Sequence, residues 1–583
     1  MTTGTATGRI DPVPAQRGAP GGPAPEQPPG RDRPLAARLQ ALPHRLAALA
    51  RAEALLAAVL AGSFLARWLV ADRNSYWLDE ILSVALYGIW NDSASDAVDY
   101  LGTRSVHPPL YQLILYQWME LFGDDERATR SLSNLYITLA TLVVYLLVRE
   151  AFSRRLGLAS AIAFTLMYSP TYYALETRSY AQTIFLATLS SYCLLRVMRA
   201  GTTSGNWRQA LFSPATAVLL AANSGLLLTH YYNAFFLAAQ GAVAALFVLR
   251  DQPPREWPAG LGAVSLMSAV PAGVFAFTWG DVLLRTLRRR SGAFPADGAE
   301  QTPAGMLGSV VTTNLDPPLL IMWLGLAALV GLAVQAVTTL VRRGGPTVQR
   351  QQAWTTTYLI AWLVLPFLAA FVVFTATGVA RYETRYWLFI LPALAPLLIL
   401  AVEWAAQLAG QAWHRVRRRS PAPGWGRWAV VGGTATIIAL ILPGTLTAAT
   451  QPKADWRGTA QDIVAIVESD PASSYAIYET SFGRDRFLDY YLARYSSEVR
   501  LTGTITRRSE RGDADFSFDL DAGLIAEHDY LVVAFIHHHP VHFPVALQRL
   551  RESYPVHRWQ VDETGQGLVI FAVPPRTEQG PPS

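Results

Sequence analysis

The chain has 583 residues, of which 51% are hydrophobic and 16% are charged. Because soluble globular proteins carry roughly 25% charged residues, this composition excludes an ordinary soluble protein. The net charge of +5 does not indicate a nucleic-acid partner, since the arginines cluster in short segments between apolar runs, as the orientation of a membrane protein requires. The single cysteine, Cys193, excludes an intramolecular disulfide and a cysteine-based metal site.

The N-terminal segment, residues 1–50, is rich in Pro, Gly and Ala and has no apolar periodicity through about residue 34. We expect this segment to be disordered. Its arginines precede the first apolar run and therefore predict a cytoplasmic N-terminus.

Residues 51–450 are predicted to form a membrane domain, because apolar runs long enough to cross a bilayer recur through it. The predicted crossings, about eleven in number, lie at 55–70, 132–148, 156–168, 180–195, 214–229, 231–249, 260–279, 319–341, 354–375, 386–405 and 428–446. Arginine-rich segments follow alternate crossings, which places those segments in the cytoplasm and the C-terminal part of the chain outside. A shorter apolar run at 110–122 is interpreted as an interfacial helix on the outer side.

Two adjacent carboxylates, Asp79 and Glu80, follow the first predicted crossing in a motif that begins at Tyr76. The neighbouring aromatic residues indicate a membrane–water interface. An ionisable pair at this depth is costly unless it has a partner or a function. Exposed turns also carry carboxylates, so the motif alone is compatible with a solvated loop.

Further polar residues are predicted on the same outer side. His107 stands before two prolines and is either a phosphate contact or a loop residue. Glu176 and Arg178 precede Tyr180 at the start of a crossing, where they either pair with each other or contact a substrate. His230 lies between two crossings and is either structural or part of a site.

Arg381 and Arg385 precede Tyr386 at the start of a later crossing. The two guanidinium groups either extend to the membrane surface or bind a lipid phosphate through paired hydrogen bonds. No glycine-rich phosphate loop is evident, so a soluble nucleotide donor is not expected. Polar groups that converge on one face of a membrane bundle predict a site for a charged or polar substrate.

The C-terminal segment, residues 451–583, is predicted to be a small extracytoplasmic α/β domain. Helices are expected at 462–469 and 486–495, and strands at 474–478, 530–536 and 567–573. His537, His538, His539 and His542 resemble metal ligands. Because neighbouring side chains of a strand point to opposite faces, and no second ligand cluster accompanies them, no metal site is predicted.

Taken together, these motifs resemble the GT-C superfamily of polytopic glycosyltransferases, specifically the bacterial family 39-like branch related to protein O-mannosyltransferases and lipid A aminoarabinose transferases. The motifs that carry the resemblance are Tyr-Trp-Leu-Asp-Glu at 76–80, His-Pro-Pro-Leu-Tyr at 107–111, Leu-Phe-Gly at 121–123, the segment 126–130, Glu-Thr-Arg-Ser-Tyr at 176–180, Thr-His-Tyr-Tyr at 229–232, Arg-Tyr at 385–386, Leu-Pro at 391–392 and Asp-Trp-Arg at 455–457. The resemblance covers residues 55–457. It implies transfer of a hexose or pentose from a polyprenyl-phosphate carrier to an acceptor on the outer face of the cytoplasmic membrane.

The resemblance also implies roles for particular residues. Asp79 corresponds to the catalytic base, which removes the acceptor hydroxyl proton while the oxygen attacks the anomeric carbon. Glu80 is expected either to orient the acceptor or to act on Asp79 through like-charge repulsion. Arg385, with Arg381 and His107, is expected to stabilise the phosphate leaving group. The related aminoarabinose enzymes carry a lysine where this chain has His107, which weakens the phosphate role of that histidine. The remaining residues of the predicted substrate-binding set are Glu176, Arg178, Tyr180, His230 and Tyr386.

The resemblance requires no cofactor, because cationic side chains can neutralise a phosphodiester, and a divalent cation is not indicated. The expected partners are the lipid-linked sugar donor, membrane lipids and an acceptor that is a protein, a lipid or a glycan. A transporter or flippase is the alternative from another class, since it would also place charges around a cavity. A membrane scaffold without catalytic activity is a third reading.

Overall fold

The computed structural model describes residues 53–89, 93–104, 107–204, 206–290, 302–315, 318–342, 347–377, 383–417, 424–481, 487–506, 522–535, 548, 550–561 and 567–574. The segment predicted to be disordered, Arg381 and the histidine cluster at 537–542 lie outside these ranges. The chain divides into two compact units, residues 1–58 and residues 59–583. The described part of the first unit, 53–58, is a turn followed by helical residues.

Helices make up most of the described chain. Those before the C-terminal segment are α1 Ala54–Val70, α2 Leu78–Ile81, α3 Ala94–Arg104, α4 Leu110–Phe122, α5 Glu126–Ala151, α6 Arg154–Leu166, α7 Tyr168–Ala174, α8 Tyr180–Ser204, α9 Trp207–Leu211, α10 Pro214–Leu227, α11 Asn233–Asp251, α12 Trp257–Arg290, α13 Pro303–Leu315, α14 Leu319–Val341, α15 Thr347–Thr377, α16 Leu391–Arg417 and α17 Trp425–Thr450. A π-helical stretch, Leu82–Ile89, follows α2, and 3₁₀ segments precede α12 and α16 at Pro254–Glu256 and Thr384–Ile390.

Local sequence explains where several helices begin. The side chains of Asp125, Ser153 and Ser213 accept hydrogen bonds from the backbone N–H groups of the first turns of α5, α6 and α10. Such caps satisfy backbone donors that have no partner within the helix. In α10 the cap is followed by Pro214, a residue that suits the first helical position because its missing N–H would have no helical partner there.

Among the described residues, eight helices are long and apolar enough to cross a membrane. Three further predicted crossings correspond to α1, α6 and α10, which have 17, 13 and 14 residues and are shorter than the roughly 20 residues of a full span. A polytopic helical membrane protein is therefore confirmed, while the count of eleven crossings stays a prediction. The run at 110–122 is helical, as predicted.

The helices of the bundle differ in how much of their surface is buried. Helix α16 lies inside it, with Leu397 and Ile399 fully buried. Helix α14 lies outside, and its Leu320 and Leu324 remain 70% and 62% exposed. A helix that is apolar on all sides yet exposed is suited to contact lipid. The outer helices therefore supply a lipid-facing surface around a packed core.

The C-terminal part of the chain forms a small α/β domain, as predicted. Its described elements are α18 Trp456–Ser469, β1 Tyr475–Ser481, α19 Phe487–Tyr495, β2 Gly503–Thr506, α20 Ala522–Ile525, β3 Tyr530–Phe535, β4 Val556–Val561 and β5 Gly567–Ala572. The described strands form one sheet in the order β2-β1-β3-β5-β4. Strand β1 is parallel to β2 and β3, whereas β5 is antiparallel to β3 and β4.

The C-terminal domain packs against the segment that follows α1. Tyr76 and Tyr111 share a buried apolar cluster with Trp456, Leu488 and Tyr491. In addition, the backbone N–H of Tyr76 donates to the hydroxyl of Tyr491 at 2.7 Å. The loop that contains Asp79 is therefore held between the membrane helices and the C-terminal domain.

Candidate active site

The two adjacent carboxylates occupy different environments. Asp79 lies at the start of α2, and its side chain is 21% exposed. The side chain of Glu80 has no exposed surface. Because successive side chains of a helix point about 100° apart, two neighbouring residues can face an opening and a packed interior respectively. The motif thus provides one accessible carboxylate and one sealed carboxylate.

Glu80 forms a complete ion pair with Arg130 of α5. Nε and Nη2 of Arg130 donate to the two carboxylate oxygens of Glu80 at 2.8 and 2.7 Å. The remaining Arg130 donors reach the backbone oxygens of Ala71, Asn74 and Ser75 at 2.6–3.0 Å. A guanidinium has five N–H donors, so all of them have acceptors here. Arg130 consequently fixes both the carboxylate and the loop before it.

A second pair of charges adjoins the first. Glu176, which precedes α8 and is fully buried, accepts a hydrogen bond from Nζ of Lys453 at 3.1 Å. The same Nζ lies 3.5 Å from Oε2 of Glu80 and 5.0 Å from the centre of the Tyr172 ring. The backbone N–H of Thr177 donates to Oε1 of Glu80 at 2.8 Å. Glu80, Arg130, Glu176 and Lys453 form a buried group of two anions and two cations, which we call the charge cluster.

The charge cluster alters the acidities of its two carboxyl groups in opposite directions. Burial raises the pKa of Glu80, but Arg130, Lys453 and the hydrogen bonds outweigh that effect and lower the pKa to about 2. Burial and the nearby Glu80 raise the pKa of Glu176, against the opposing effect of Lys453. Glu80 is therefore an anion at neutral pH, and the ionisation of Glu176 depends on Lys453.

Asp79 lies between two guanidinium groups. Its Oδ2 is 3.6 Å from Nη2 of Arg178 and 3.6 Å from Nη1 of Arg385. Arg178 is held in place, since its Nη1 donates to the backbone oxygen of Asp79 and to the hydroxyl of Ser83 at 3.2 and 3.1 Å. Burial lowers the pKa of Arg178, but Asp79 and Tyr180 outweigh it and raise the pKa.

Arg385 is less constrained than Arg178. Its side chain is 27% exposed, and it lies 3.9 Å from Glu383 in addition to Asp79. Within the described residues, the buried Nε atoms of both Arg178 and Arg385 have no hydrogen-bond partner. The two groups differ in exposure, and a partly exposed guanidinium is suited to bind an anion that arrives from outside.

Aromatic rings form one wall next to these charges. The ring of His230 lies 5.5 Å from that of His107, 4.8 Å from that of Tyr386 and 6.4 Å from that of Tyr180, measured between centroids. Burial, Arg178 and Arg385 lower the pKa of His230 to about 3, so the imidazole is neutral at physiological pH. The backbone N–H of Tyr232 donates to its Nδ1, which leaves the ring proton on Nε2.

The structure brings most of the predicted site residues together. Those around the opening at Asp79 are Arg178, Tyr180, His230, His107, Arg385 and Tyr386. Glu80 and Glu176 lie instead in the charge cluster. Arg381 lies outside the described residues. In the part of the chain that the structure describes, no three His, Cys, Asp or Glu side chains approach closely enough to hold one metal ion.

Two members of the charge cluster, Arg130 and Lys453, were not predicted as site residues. A signal for Lys453 is present in the composition, because it is the one lysine among the 48 lysine and arginine residues of the chain. Arg130 lies at the edge of a predicted crossing, where an ionisable residue indicates a function or a partner. Neither signal identifies the partner.

The fold matches solved glycosyltransferases of the GT-C type. The structure of ArnT from Cupriavidus metallidurans bound to undecaprenyl phosphate aligns with a TM-score of 0.50 at 14% identity, over 89% of this chain and 98% of that chain. Its apo form gives the same TM-score and identity over 90% and 98%. The oligosaccharyltransferase of Archaeoglobus fulgidus tethered to an acceptor peptide aligns with a TM-score of 0.43 at 14% identity, over 89% and 74%.

The sequence gives a second, independent match. Residues 106–275 match the family model described as dolichyl-phosphate-mannose-protein mannosyltransferase. No curated protein matches the chain significantly. The matched segment contains His107, Arg130, Glu176, Arg178 and His230, and so includes much of the candidate site. The predicted resemblance to the GT-C glycosyltransferases is confirmed by this match and by the fold.

Proposed function

We propose that this protein transfers a sugar from a polyprenyl-phosphate donor to an acceptor hydroxyl on the outer face of the cytoplasmic membrane. The observation that carries the proposal is the position of Asp79, a partly exposed carboxylate between the guanidinium groups of Arg178 and Arg385. A base beside an anion-binding pair is the arrangement that displacement of a phosphate by a hydroxyl requires. The ArnT structure contains undecaprenyl phosphate, which supports a polyprenyl phosphate as the product here.

Each bond change in the proposed reaction has a protein group near it. A carboxylate oxygen of Asp79 takes the proton of the acceptor hydroxyl, and the acceptor oxygen forms a bond to the anomeric carbon. The bond between that carbon and the phosphate oxygen breaks, and its electron pair leaves with the phosphate. Arg385, assisted by Arg178, stabilises the resulting charge. A single displacement of this kind inverts the anomeric configuration.

The guanidinium groups have different tasks in this proposal. Arg178 is anchored to the backbone of Asp79 and to Ser83, so it holds the base in place. Arg385 is the more exposed of the two side chains, 27% against 9%, and binds the phosphate. While no donor is bound, both groups neutralise Asp79, and the incoming phosphate competes with the carboxylate for them.

The aromatic wall binds the sugar in this proposal. The rings of Tyr180, Tyr386 and His107 and the neutral ring of His230 offer apolar faces and hydrogen-bond donors. Glu80 was predicted to act in catalysis, and Glu176 was predicted to pair with Arg178 or to contact the substrate. Because both are fully buried in the charge cluster, we propose that they position the loops instead.

The proposed function also requires a particular orientation of the chain in the membrane. The proposed arrangement has a cytoplasmic N-terminus, and the C-terminal domain lies outside with the site. The acceptor is then an extracytoplasmic protein, lipid or glycan. The segment before Asp79 contacts the C-terminal domain through Tyr76 and Tyr491, and Lys453, just before that domain, contacts Glu176. These contacts support placing the C-terminal domain on the same side of the membrane as the site.

The test is sugar transfer in membranes that contain the wild-type protein or Asp79→Asn, with a panel of radiolabelled polyprenyl-phosphate sugars. Removal of a general base lowers the rate by about 10²–10⁴-fold. Asp79→Asn should therefore lose transfer at normal expression, while Asp99→Asn, on the exposed part of α3, should retain it. Equal rates for wild type and Asp79→Asn would contradict the mechanism. Donor translocation without transfer by the wild type would support a flippase instead.

A further inference from the structure

Lys453 joins the membrane part of the protein to the C-terminal domain at the charge cluster. It stands three residues before α18, and its side chain is 10% exposed. Its Nζ contacts Glu176 and Glu80 on one side and the ring of Tyr172 on another. Every other basic residue of the chain is an arginine. An ammonium is a compact charge that can lie between two carboxylates where the planar fork of a guanidinium requires more room.

The segment around Lys453 is fastened on both sides. Before it, the side-chain amide of Asn74 donates to the backbone oxygen of Gln451 at 2.9 Å. After it, the hydroxyl of Ser75 donates to the backbone oxygen of Ala454 at 2.7 Å and accepts from the backbone N–H of Trp456 at 3.0 Å. These bonds tie the backbone on both sides of Lys453 to the segment that precedes Asp79.

The contacts of Glu80 extend this arrangement to the reacting groups. Its carboxylate accepts from the backbone N–H groups of Trp77 and Thr177 at 3.3 and 2.8 Å. Trp77 stands two residues before Asp79, and Thr177 stands one residue before Arg178. The same carboxylate therefore holds the loop of the base and the loop of the guanidinium that anchors it.

We propose that Lys453 is a positioning residue, which neutralises Glu80 and Glu176 and thereby couples the docked C-terminal domain to the geometry of Asp79 and Arg178. This inference rests on the proposed function. With Lys453, the charge cluster holds two anions and two cations. Without it, the cluster keeps two buried carboxylates and one guanidinium, which is paired with Glu80. The excess negative charge must then be removed by protonation or by movement of a loop.

The groups that face Lys453 predict how its loss depends on pH. Lys453 faces Glu80 from α2, Glu176 from the loop before α8 and Tyr172 from α7. Glu80 also faces Arg130 from α5, and Glu176 also faces Arg178 and the three tyrosines of α7. Glu80 has the stronger partner and remains ionised, so Glu176 takes the proton. In Lys453→Met the cluster is neutral only when Glu176 is protonated, and its activity should rise as the pH is lowered.

The experiment measures sugar transfer by wild type, Lys453→Met, Glu176→Gln and the double variant from pH 5.5 to pH 8.5. At pH 8 the single variant Lys453→Met should lose about 100-fold in kcat, the effect of misplacing a catalytic group by about 1 Å, with a smaller change in KM for the donor. The double variant should recover most of the loss and show no rise toward low pH, because its cluster is neutral at every pH. Arg494→Met is the matched control, since Arg494 lies at the same junction, half-exposed and paired with Asp124.

Several results would overturn the inference. One is that Lys453→Met has the same activity and pH profile as Arg494→Met. Another is that the double variant folds but is as inactive as Lys453→Met. Where Lys453→Met does not accumulate, the double variant is compared with Glu176→Gln, and a far lower activity of the double variant also contradicts the inference. Asp79→Asn is measured in the same membranes. If it retains transfer, the proposed function fails; if it loses transfer while Lys453→Met does not, the positioning role alone fails.

Discussion

Asp79 and Glu80 are adjacent in the chain, yet the regions around them differ in almost every physical respect. The region around Asp79 is partly open, with charges 3.6 Å apart and with the side chains of Asp79 and Arg385 21% and 27% exposed. The region around Glu80 is closed, and its hydrogen bonds to Arg130 measure 2.7 and 2.8 Å. The long contacts of Asp79 allow a substrate to replace one of its arginine partners, whereas the fully hydrogen-bonded pair of Glu80 and Arg130 holds the backbone around it in place. The comparison separates the carboxylate that we propose reacts from the one that we propose holds the loop.

The largest contrast is expected between Asp79→Asn and Glu80→Gln. Asp79→Asn should lower transfer by about 10²–10⁴-fold and leave the thermal midpoint in detergent almost unchanged, because the side chain is partly exposed. Glu80→Gln leaves Arg130 without its buried anion and should reduce the free energy of unfolding by about 3–5 kcal/mol. The measurements are donor turnover and thermal unfolding of both purified variants. A stable Glu80→Gln protein would show that the closed region does not hold the fold.

Arg385 and Arg178 should respond differently to replacement by lysine. Arg385→Lys keeps a charge but loses the paired donors, so it should raise KM for the donor and lower kcat, about tenfold to 100-fold in kcat/KM. Arg178→Lys also loses the bonds that hold the loop of Asp79, so we expect a loss of kcat together with a lower thermal midpoint. Equal effects of the two substitutions on KM and on stability would contradict the separate roles of binding and anchoring.

The two buried carboxyl groups should give opposite pH dependences of stability. The pKa of Glu80 is lowered to about 2, so its contribution to stability is complete above its ordinary pKa and is lost as the pH falls toward 2. The pKa of Glu176 is raised, so the folded state binds more protons than the unfolded state above pH 4.5, and stability falls as the pH rises through that window. Thermal unfolding of wild type and Glu176→Gln between pH 4 and pH 8 measures the predicted contribution of Glu176. The stability of Glu176→Gln relative to that of wild type should increase with pH, and a constant difference contradicts the prediction.

The smallest effect is expected for the half-exposed ion pair at the domain junction. Arg494 lies 3.1 Å from Asp124, and solvent screens the pair. Arg494→Met should change the free energy of unfolding by about 0–1 kcal/mol and leave transfer unchanged. Urea unfolding and donor turnover provide the check. A loss comparable to that of Glu80→Gln would mean that the junction, rather than the charge cluster, holds the loop.

The sequence was informative about Asp79, Arg178, His230 and Arg385 because ionisable residues beside apolar runs are rare and have few roles. It could not show that Lys453 meets Glu176, which lies 277 positions earlier. That contact depends on how the C-terminal domain docks, and no local pattern encodes docking. The distinction between Asp79 and Glu80 was also hidden, because the direction of each side chain depends on the helices packed around α2.

The same limit applies to the sheet. Strands β1, β3 and β5 were predicted because they contain apolar runs, and β3 and β5 form buried central strands. Strand β4 has exposed charged and aromatic side chains, and β2 has four residues, so neither shows an apolar pattern. Edge strands commonly lack one, since only part of their surface packs against the core. The sequence thus predicted the centre of the sheet and missed its edges.

The bonds between Ser75, Ala454 and Trp456 have a consequence for the order of synthesis. A ribosome makes the loop of Asp79 early and its partners at the C-terminal domain late. Until those partners emerge, Ser75 lacks both of its bonds, and the buried carboxylates lack Lys453. On the proposed function, a chain with all its membrane helices inserted still lacks a positioned base, and we expect it and a truncated product to be inactive. Completion of the C-terminal domain is then the step that assembles the proposed site.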